Sequence, residues 1–325
     1  MTAASGTPRL DRRRFIQGAA AAALLPALAP LWGEAAIGGK PVPRVGILGD
    51  SDPVGWFVRT AAVDIECRWA DERRERLADL AAELVHLDLD VIVAVGTEAA
   101  RAAENATRTI PVVFVAAKRP IRAGLVSDAT RPGANVTGVI VASGVEMAAA
   151  RLELLRVLVP RLSRMAVLGY PGNPGHESAM RDVRVAAAAS GVEVQAASAA
   201  TPGELDAAFT NMTREGVAAV AVLSDVVFAT SAWRIASLAS AARLPVVYEA
   251  KSFVEAGGLM ALHADGGAVI QRTVAIVQRI LRGEKPAAIP VAQLTRLELT
   301  INRQAARALG LALPPSLLAR ADAMI

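Results

Sequence analysis

Polar and charged side chains in this sequence gather where short apolar runs stop. Asp50 and Ser51 follow Val45–Leu48, Gly96 and Thr97 follow Val91–Val95, and Lys118 follows Val112–Val115. Further along, Tyr170 and Asn173 lie in a Tyr-Pro-Gly-Asn-Pro segment, Ser224 and Asp225 close another apolar run, and Tyr248 and Glu249 close the next. Carboxylates such as Asp225 and Glu249 can hold a cation. Thr97, as the cap of a helix, can offer a hydroxyl and neighbouring N–H groups to an anion. Tyr170, Tyr248 and Trp56 bring aromatic faces for an apolar group. Each also has a structural role open to it: Thr97 and Asp225 as helix caps, Trp56 as a plug for a short loop, Lys118 as a solvated cation.

Patterns that would carry catalysis do not stand out. His86, His176 and His263 are far apart and lack the His-Glu-x-x-His spacing of a metal helix. His86 reads as solvated and His176 as part of a helix start, while Cys67 alternates with apolar residues and reads as a small buried hydrophobe. No Gly-x-Ser-x-Gly elbow or Gly-x-x-x-x-Gly-Lys loop occurs, and Gly257-Gly258 lacks the spacing of a dinucleotide fingerprint. The chain therefore reads as non-enzymatic, with no catalytic residue, metal or cofactor assigned.

The elements that must position the polar groups follow from periodicity. Val45–Leu48, Val63–Trp69, Val91–Val95 and Val112–Val115 are β-branched runs bounded by Gly or Pro, hence strands. Between them Leu77, Leu80, Ala81, Leu84 and Leu87 share one helical face, with Arg74, Glu75 and Glu83 elsewhere. Strand and helix in alternation predict a parallel sheet covered on both faces. The second half repeats the plan: Arg164–Gly169 echoes Arg44–Gly49, and Leu244–Lys251 echoes Ile110–Lys118. After Lys251 come a strand at Leu259–Leu262, a helix ending near Gly283, a strand at Leu297–Ile301, and a helix capped by Asn302 that ends at Gly310. This remaining chain has to pack back on two complete lobes, which implies several crossings between them.

Composition sets outer bounds. The chain is 53% hydrophobic but only 4% aromatic, so Ala, Val and Leu fill the interior. Arg12-Arg13-Arg14, the uncharged Gly18–Leu31 run and the small residues after it have the parts of an export signal over residues 1–35, and the paired arginines resemble the twin-arginine type. The formal charge is +4, of which four arginines against Asp11 and Glu34 belong to that leader; the rest is too balanced for a nucleic-acid surface. Cys67 is the single cysteine, so no intramolecular disulfide can form.

The most specific stretch is Lys285–Ile325: Lys-Pro-x-x-Ile-Pro-Val, then Glu298-Leu-Thr-Ile-Asn302, Ala308-Leu-Gly-Leu, and Pro314-Pro-Ser-Leu-Leu-Ala-Arg-Ala-Asp322. With Leu80–Val85, Asp90–Val93, Arg131–Gly138, Leu152–Leu155 and Phe253–Met260, it closely resembles the ABC-transporter substrate-binding proteins of the tryptophan/tyrosine-transporter type. The resemblance implies an α/β chain of two doubly wound parallel-sheet lobes joined by a multi-crossing hinge (type I periplasmic-binding fold), with ligand clamped between them. The expected division is 44–141 plus 252–284 for one lobe and 142–251 plus 285–325 for the other. It further implies an amino acid or related small acid as ligand, an ABC permease in the inner membrane as partner, an export translocase for the leader, and a periplasmic setting. Thr97 would then take the carboxylate, Asp225 or Glu249 the ammonium, and a tyrosine or Trp56 the side chain.

Three departures stand out. The first βαβ unit is shortened between Gly49 and Val63, Lys118-Arg119-Pro120-Ile121 replaces the family's Asp-Pro-Val, and Ala261-Leu262-His263 follows Leu259-Met260. A sensor or docking subunit that has lost small-ligand binding is the alternative within the same fold. An exported α/β enzyme is the more distant one.

Overall fold

The computed structural model describes residues 42–50, 63–71, 73–117, 120–121 and 123–325. The export leader, Ser51, Trp56, Lys118 and the shortened loop after Gly49 fall outside these residues.

Six strands form the first sheet: β1 (Arg44–Gly49), β2 (Asp64–Trp69), β3 (Val91–Val95), β4 (Val112–Ala117), β5 (Val136–Val141) and a later strand at Ala292–Leu294. Their spatial order is β2-β1-β3-β4-β5, all parallel, with the late strand beyond β5. Helices α1 (Leu77–Val85) and α2 (Thr97–Ala106) cover one face. Leu77, Leu80, Ala81 and Leu84 of α1 pack there with Ala99, Ala100 and Ala103 of α2. Both faces bury apolar residues, which is why the strands read as continuous Val/Ile runs rather than alternating ones. β2 stands at the edge of the sheet, with a strand neighbour on one side only, and Cys67 on it is exposed rather than buried.

The second sheet takes the chain from α3 (Val145–Leu158) through β6 (Arg164–Gly169), α4 (Pro174–Ala188), β7 (Glu193–Ser198), α5 (Pro202–Arg214), β8 (Ala219–Val222), α6 (Val226–Thr230), α7 (Ala232–Ala241), β9 (Val246–Tyr248), α8 (Lys251–Glu255) and β10 (Met260–Ala264). Its order is β7-β6-β8-β9-β10, the same 2-1-3-4-5 winding as the first sheet. β6 is thus the counterpart of β1, and β8 of β3. In each sheet the winding reverses between these two strands, and a crevice opens there beyond their carboxyl ends.

Three crossings join the sheets. The chain leaves the first after β5, re-enters it through α9 (Gly266–Leu281) and β11 (Ala292–Leu294), and returns for β12 (Leu297–Ile301), α10 (Arg303–Ala308), α11 (Pro315–Arg320) and β13 (Ala323–Met324). Val269, Ile276, Val277 and Ile280 of α9 pack on the first sheet. The crossings lie side by side: Ala142 N donates to Leu294 O at 3.2 Å and Asp265 N to Arg296 O at 3.5 Å.

The sheets divide the chain differently from the sequence expectation at two places. α8 and β10 stand with the second sheet, where β10 pairs with β9 and, antiparallel, with β12. β11 stands with the first sheet, beside β5. Both segments extend an open sheet edge, and nothing local in an apolar strand tells which of two equivalent edges receives it.

Candidate functional site

Asp50, one residue beyond β1, stands at the switch point of the first sheet. Tyr170–Asn173, beyond β6, and Ser224–Asp225, beyond β8, stand at that of the second. One side chain connects them. Arg74, in a single 3-10 turn (Arg74–Arg76) ahead of α1, donates from Nε to Asp50 Oδ2 at 3.1 Å and from Nη2 to Asp225 Oδ2 at 3.0 Å. Its Nη1 lies 3.5 Å from the Gly172 carbonyl. A guanidinium from the first lobe thus bridges a carboxylate from each side.

The second-lobe half is built to hold Asp225 still. Asp225 has extended backbone and caps α6, its Oδ1 accepting from Val227 N at 3.1 Å. Its Oδ2 also accepts from Asn173 Nδ2 at 2.7 Å, and the side chain is only 1% exposed. Asn173 caps α4 through Gly175 N, with Pro174 at the first helical position, where its missing N–H costs nothing. His176, in the first turn of α4, accepts from Tyr170 N at Nδ1 (2.8 Å), which leaves Nε2 to face the Ser224 carbonyl at 3.2 Å. The imidazole therefore ties the end of β6 to the end of β8, with Nε2 3.9 Å from Asp225 Oδ2.

Burial alone would lower the pKa of Arg74, but hydrogen bonds and attraction from Asp225, then Asp50, outweigh it and raise the value. Arg74 stays cationic at every working pH. Two carboxylates against one guanidinium leave this cluster one negative charge in excess. Asp50 Oδ1 is buried and has no hydrogen-bond partner among the described residues.

Gly96 and Thr97 follow β3, beside β1. Gly96 rather than Thr97 holds the cap position of α2, with φ +89° and nothing within 4 Å of where a Cβ would stand. A left-handed backbone, not crowding, is what calls for glycine there. Thr97 is the first helical residue, so the capping role read from the sequence moves back by one position.

Two other sequence candidates turn away. Tyr248 is fully buried, stacks on Phe253 at 5.0 Å, and belongs to the core under α7 and α8. Glu249 accepts from Arg151 Nη1 at 2.5 Å and from Ser224 N at 3.0 Å, and Arg151 also donates twice to the Leu262 carbonyl. Glu249 therefore fastens α3 to the strands. Both residues sit at the end of β9, one strand away from the switch point, where Tyr248 is taken up by the core and Glu249 by Arg151 and the Ser224 N–H.

The sequence missed Arg74 as well as the tying role of His176. Within Glu72-Arg73-Arg74-Glu75-Arg76, Arg74 has the appearance of one more solvated charge. Only the turn before α1 aims it across the gap.

Residues 59–325 match the family described as ABC transporter substrate binding protein. The chain belongs to that family. The tyrosine-binding protein of Clostridioides difficile (strain R20291) is 25% identical over 230 residues, 71% of this chain and 66% of that protein. The chain thus spans just under two thirds of the length of that curated relative. Among solved structures, a conserved domain protein from Vibrio cholerae O1 biovar El Tor str. N16961 is 26% identical, with a TM-score of 0.79 over 88% of this chain and 100% of that one. The ABC domain in complex with L-Trp from Streptococcus pneumonia is 25% identical, with the same TM-score and coverage. As a member of this substrate-binding family, the chain has the α/β architecture of two mainly parallel sheets that these neighbours share. Small-ligand binding in partnership with an ABC transporter is the family's role. Among the described residues, no helix is long and apolar enough to cross a membrane, and no group of three or more His, Cys, Asp or Glu could hold a metal ion.

Proposed function

We propose that this protein captures a small α-amino acid between the two switch points and delivers it to the permease of an ABC importer. The observation that carries the reading is Asp225: a nearly inaccessible carboxylate, fixed by its own helix and by Asn173, facing the opposite lobe in a cluster with one negative charge in excess. Such a group suits a ligand ammonium. The first turn of α2, which opens at Gly96 and Thr97 beside β1, suits the carboxylate, since the positive end of a helix favours an anion. The relatives named for tyrosine and bound to L-Trp favour the same class. An export leader in residues 1–35 and a periplasmic setting, reached through a translocase, complete the proposal. Closure about the three adjacent crossings would then signal occupancy to the permease.

Titration calorimetry of the purified protein against the standard L-amino acids and their desamino carboxylates tests this. Saturable binding of at least one amino acid is expected. Silence across the whole panel overturns it and favours the docking-subunit reading.

A further inference from the structure

We propose that the second lobe carries a binding site of its own, on the side of its sheet away from the cleft, for a small uncharged molecule with a single ring and one hydrogen-bond acceptor. The site is a cavity of about 240 Å³ between α7 and α10. It lies at the starts of β9 and β10. β12 runs antiparallel to β10, so Asn302 at its end stands beside Leu259, whose carbonyl accepts from Asn302 N at 2.8 Å. The cleft residues Asn173 and Asp225 lie beyond the opposite, carboxyl ends of the parallel strands. The gap exists because two helices present only small side chains to it. Ala236, Ala239 and Ser240 share one face of α7, and Ala305 and Ala308 share one face of α10. A folded interior has few voids larger than a water molecule.

Tyr248 marks this space as a site rather than a packing fault. The residue is 0% exposed and lines the cavity, and its hydroxyl has no hydrogen-bond partner among the described residues. A Cβ on Gly258, also in the wall, would stand 3.0 Å from Cζ, the carbon that bears the hydroxyl. The hydroxyl end of the ring therefore lies against that wall. The other polar groups are committed or at the mouth. Asn302 Oδ1 accepts from Ala305 N at 2.9 Å and Nδ2 donates to the Val254 carbonyl at 3.4 Å, while Ser240 and Gln304 are exposed. No charged side chain is among the lining residues. A charged ligand would lose its hydration with no counter-charge to meet. A cavity of roughly 150 Å³ already admits benzene, so this one has room for a ring with a short substituent. A carbonyl on that substituent accepts from Tyr248 and satisfies the hydroxyl that the fold leaves unpaired.

The test titrates acetophenone, and ethylbenzene as its counterpart without the carbonyl, into the isotope-labelled full chain, with backbone amide shifts followed by NMR. The readout is independent of what the cleft binds. Wild type is expected to show saturable shifts with acetophenone at Gly257, Gly258 and along α7 and α10. Tyr248→Phe is expected to weaken acetophenone binding about fivefold, the worth of one hydrogen bond, and to leave ethylbenzene binding unchanged. Ala308→Leu, at an exposed helix position whose added carbons fill the cavity, is expected to weaken both probes by about tenfold. Absence of a saturable shift in wild type, which would mean that the cavity holds water only, overturns the proposal. So do shifts centred on the cleft residues, an equal effect of Tyr248→Phe on both probes, or unchanged binding by Ala308→Leu. Should Ala308→Leu not fold, Ser240→Leu on the facing helix replaces it with the same expectation.

Discussion

Asp225 draws its donors from three separate stretches of chain: the helix it caps, the Asn173 turn, and Arg74 from the other lobe. Its replacement by asparagine keeps an oxygen for the Val227 N–H and removes the charge. Asp225→Asn is expected to weaken amino-acid binding by about 2 kcal/mol, or roughly thirtyfold, as neutralising one member of a buried charge pair does. Calorimetry with L-tyrosine would show it. Tyr248 makes the opposite case. Its hydroxyl is buried with no hydrogen-bond partner among the described residues, and burial pushes its pKa well above the usual tyrosine value. Tyr248→Phe is expected to leave ligand affinity unchanged and to raise stability by about 1 kcal/mol, since the unpaired group no longer has to be desolvated. Urea unfolding would measure that gain, and a loss of ligand affinity instead would restore Tyr248 to the site.

At the scale of elements, the site is a product of strand ends and the turns that follow them. Gly96 sets the start of α2 with a left-handed backbone in open space. Gly96→Ala meets no clash, so its cost is conformational strain of about 1 kcal/mol, accompanied by weaker ligand binding as Thr97 shifts. Gly258 is glycine for a different reason. A Cβ there would stand 2.5 Å from the Tyr248 ring and 2.7 Å from the Phe253 carbonyl, and neither can move freely. Gly258→Ala is expected to cost about 2 kcal/mol in unfolding free energy without altering ligand selectivity, because the overlap forces a backbone shift in the core under α8.

At the scale of the whole molecule, closure depends on three adjacent crossings and on how firmly each lobe is braced beside them. Arg151 fastens α3, the first element after one crossing, to Glu249 beyond β9 and to Leu262 in β10. Arg151→Met leaves the Glu249 carboxylate largely buried without its guanidinium, at a cost of about 3 kcal/mol. The expected reading is a melting midpoint lower by several degrees in thermal denaturation, with the Asp225 cluster itself left intact.

The sequence by itself determined the alternation of strands and helices, the repeat of one plan in two halves, the turn at Asn173, the cap at Asn302, the cap role open to Asp225, and the helix ends at Gly283 and Gly310. Those are local properties: periodicity, β-branching, a cap's own hydrogen bond, a glycine's positive φ. From that plan it also followed that Asp50, Asn173 and Asp225 would stand where strands end. What only the tertiary structure decided is which strand-end residues face the crevice and which cation meets them. Tyr248 and Glu249 end a strand as Asp50 nearly does, yet β9 lies one position off the switch point, and neighbour order within a sheet is set by long-range pairing. Arg74 and Asp225 are 151 residues apart in the chain, and no local pattern encodes a contact that exists only once two separately wound sheets face each other.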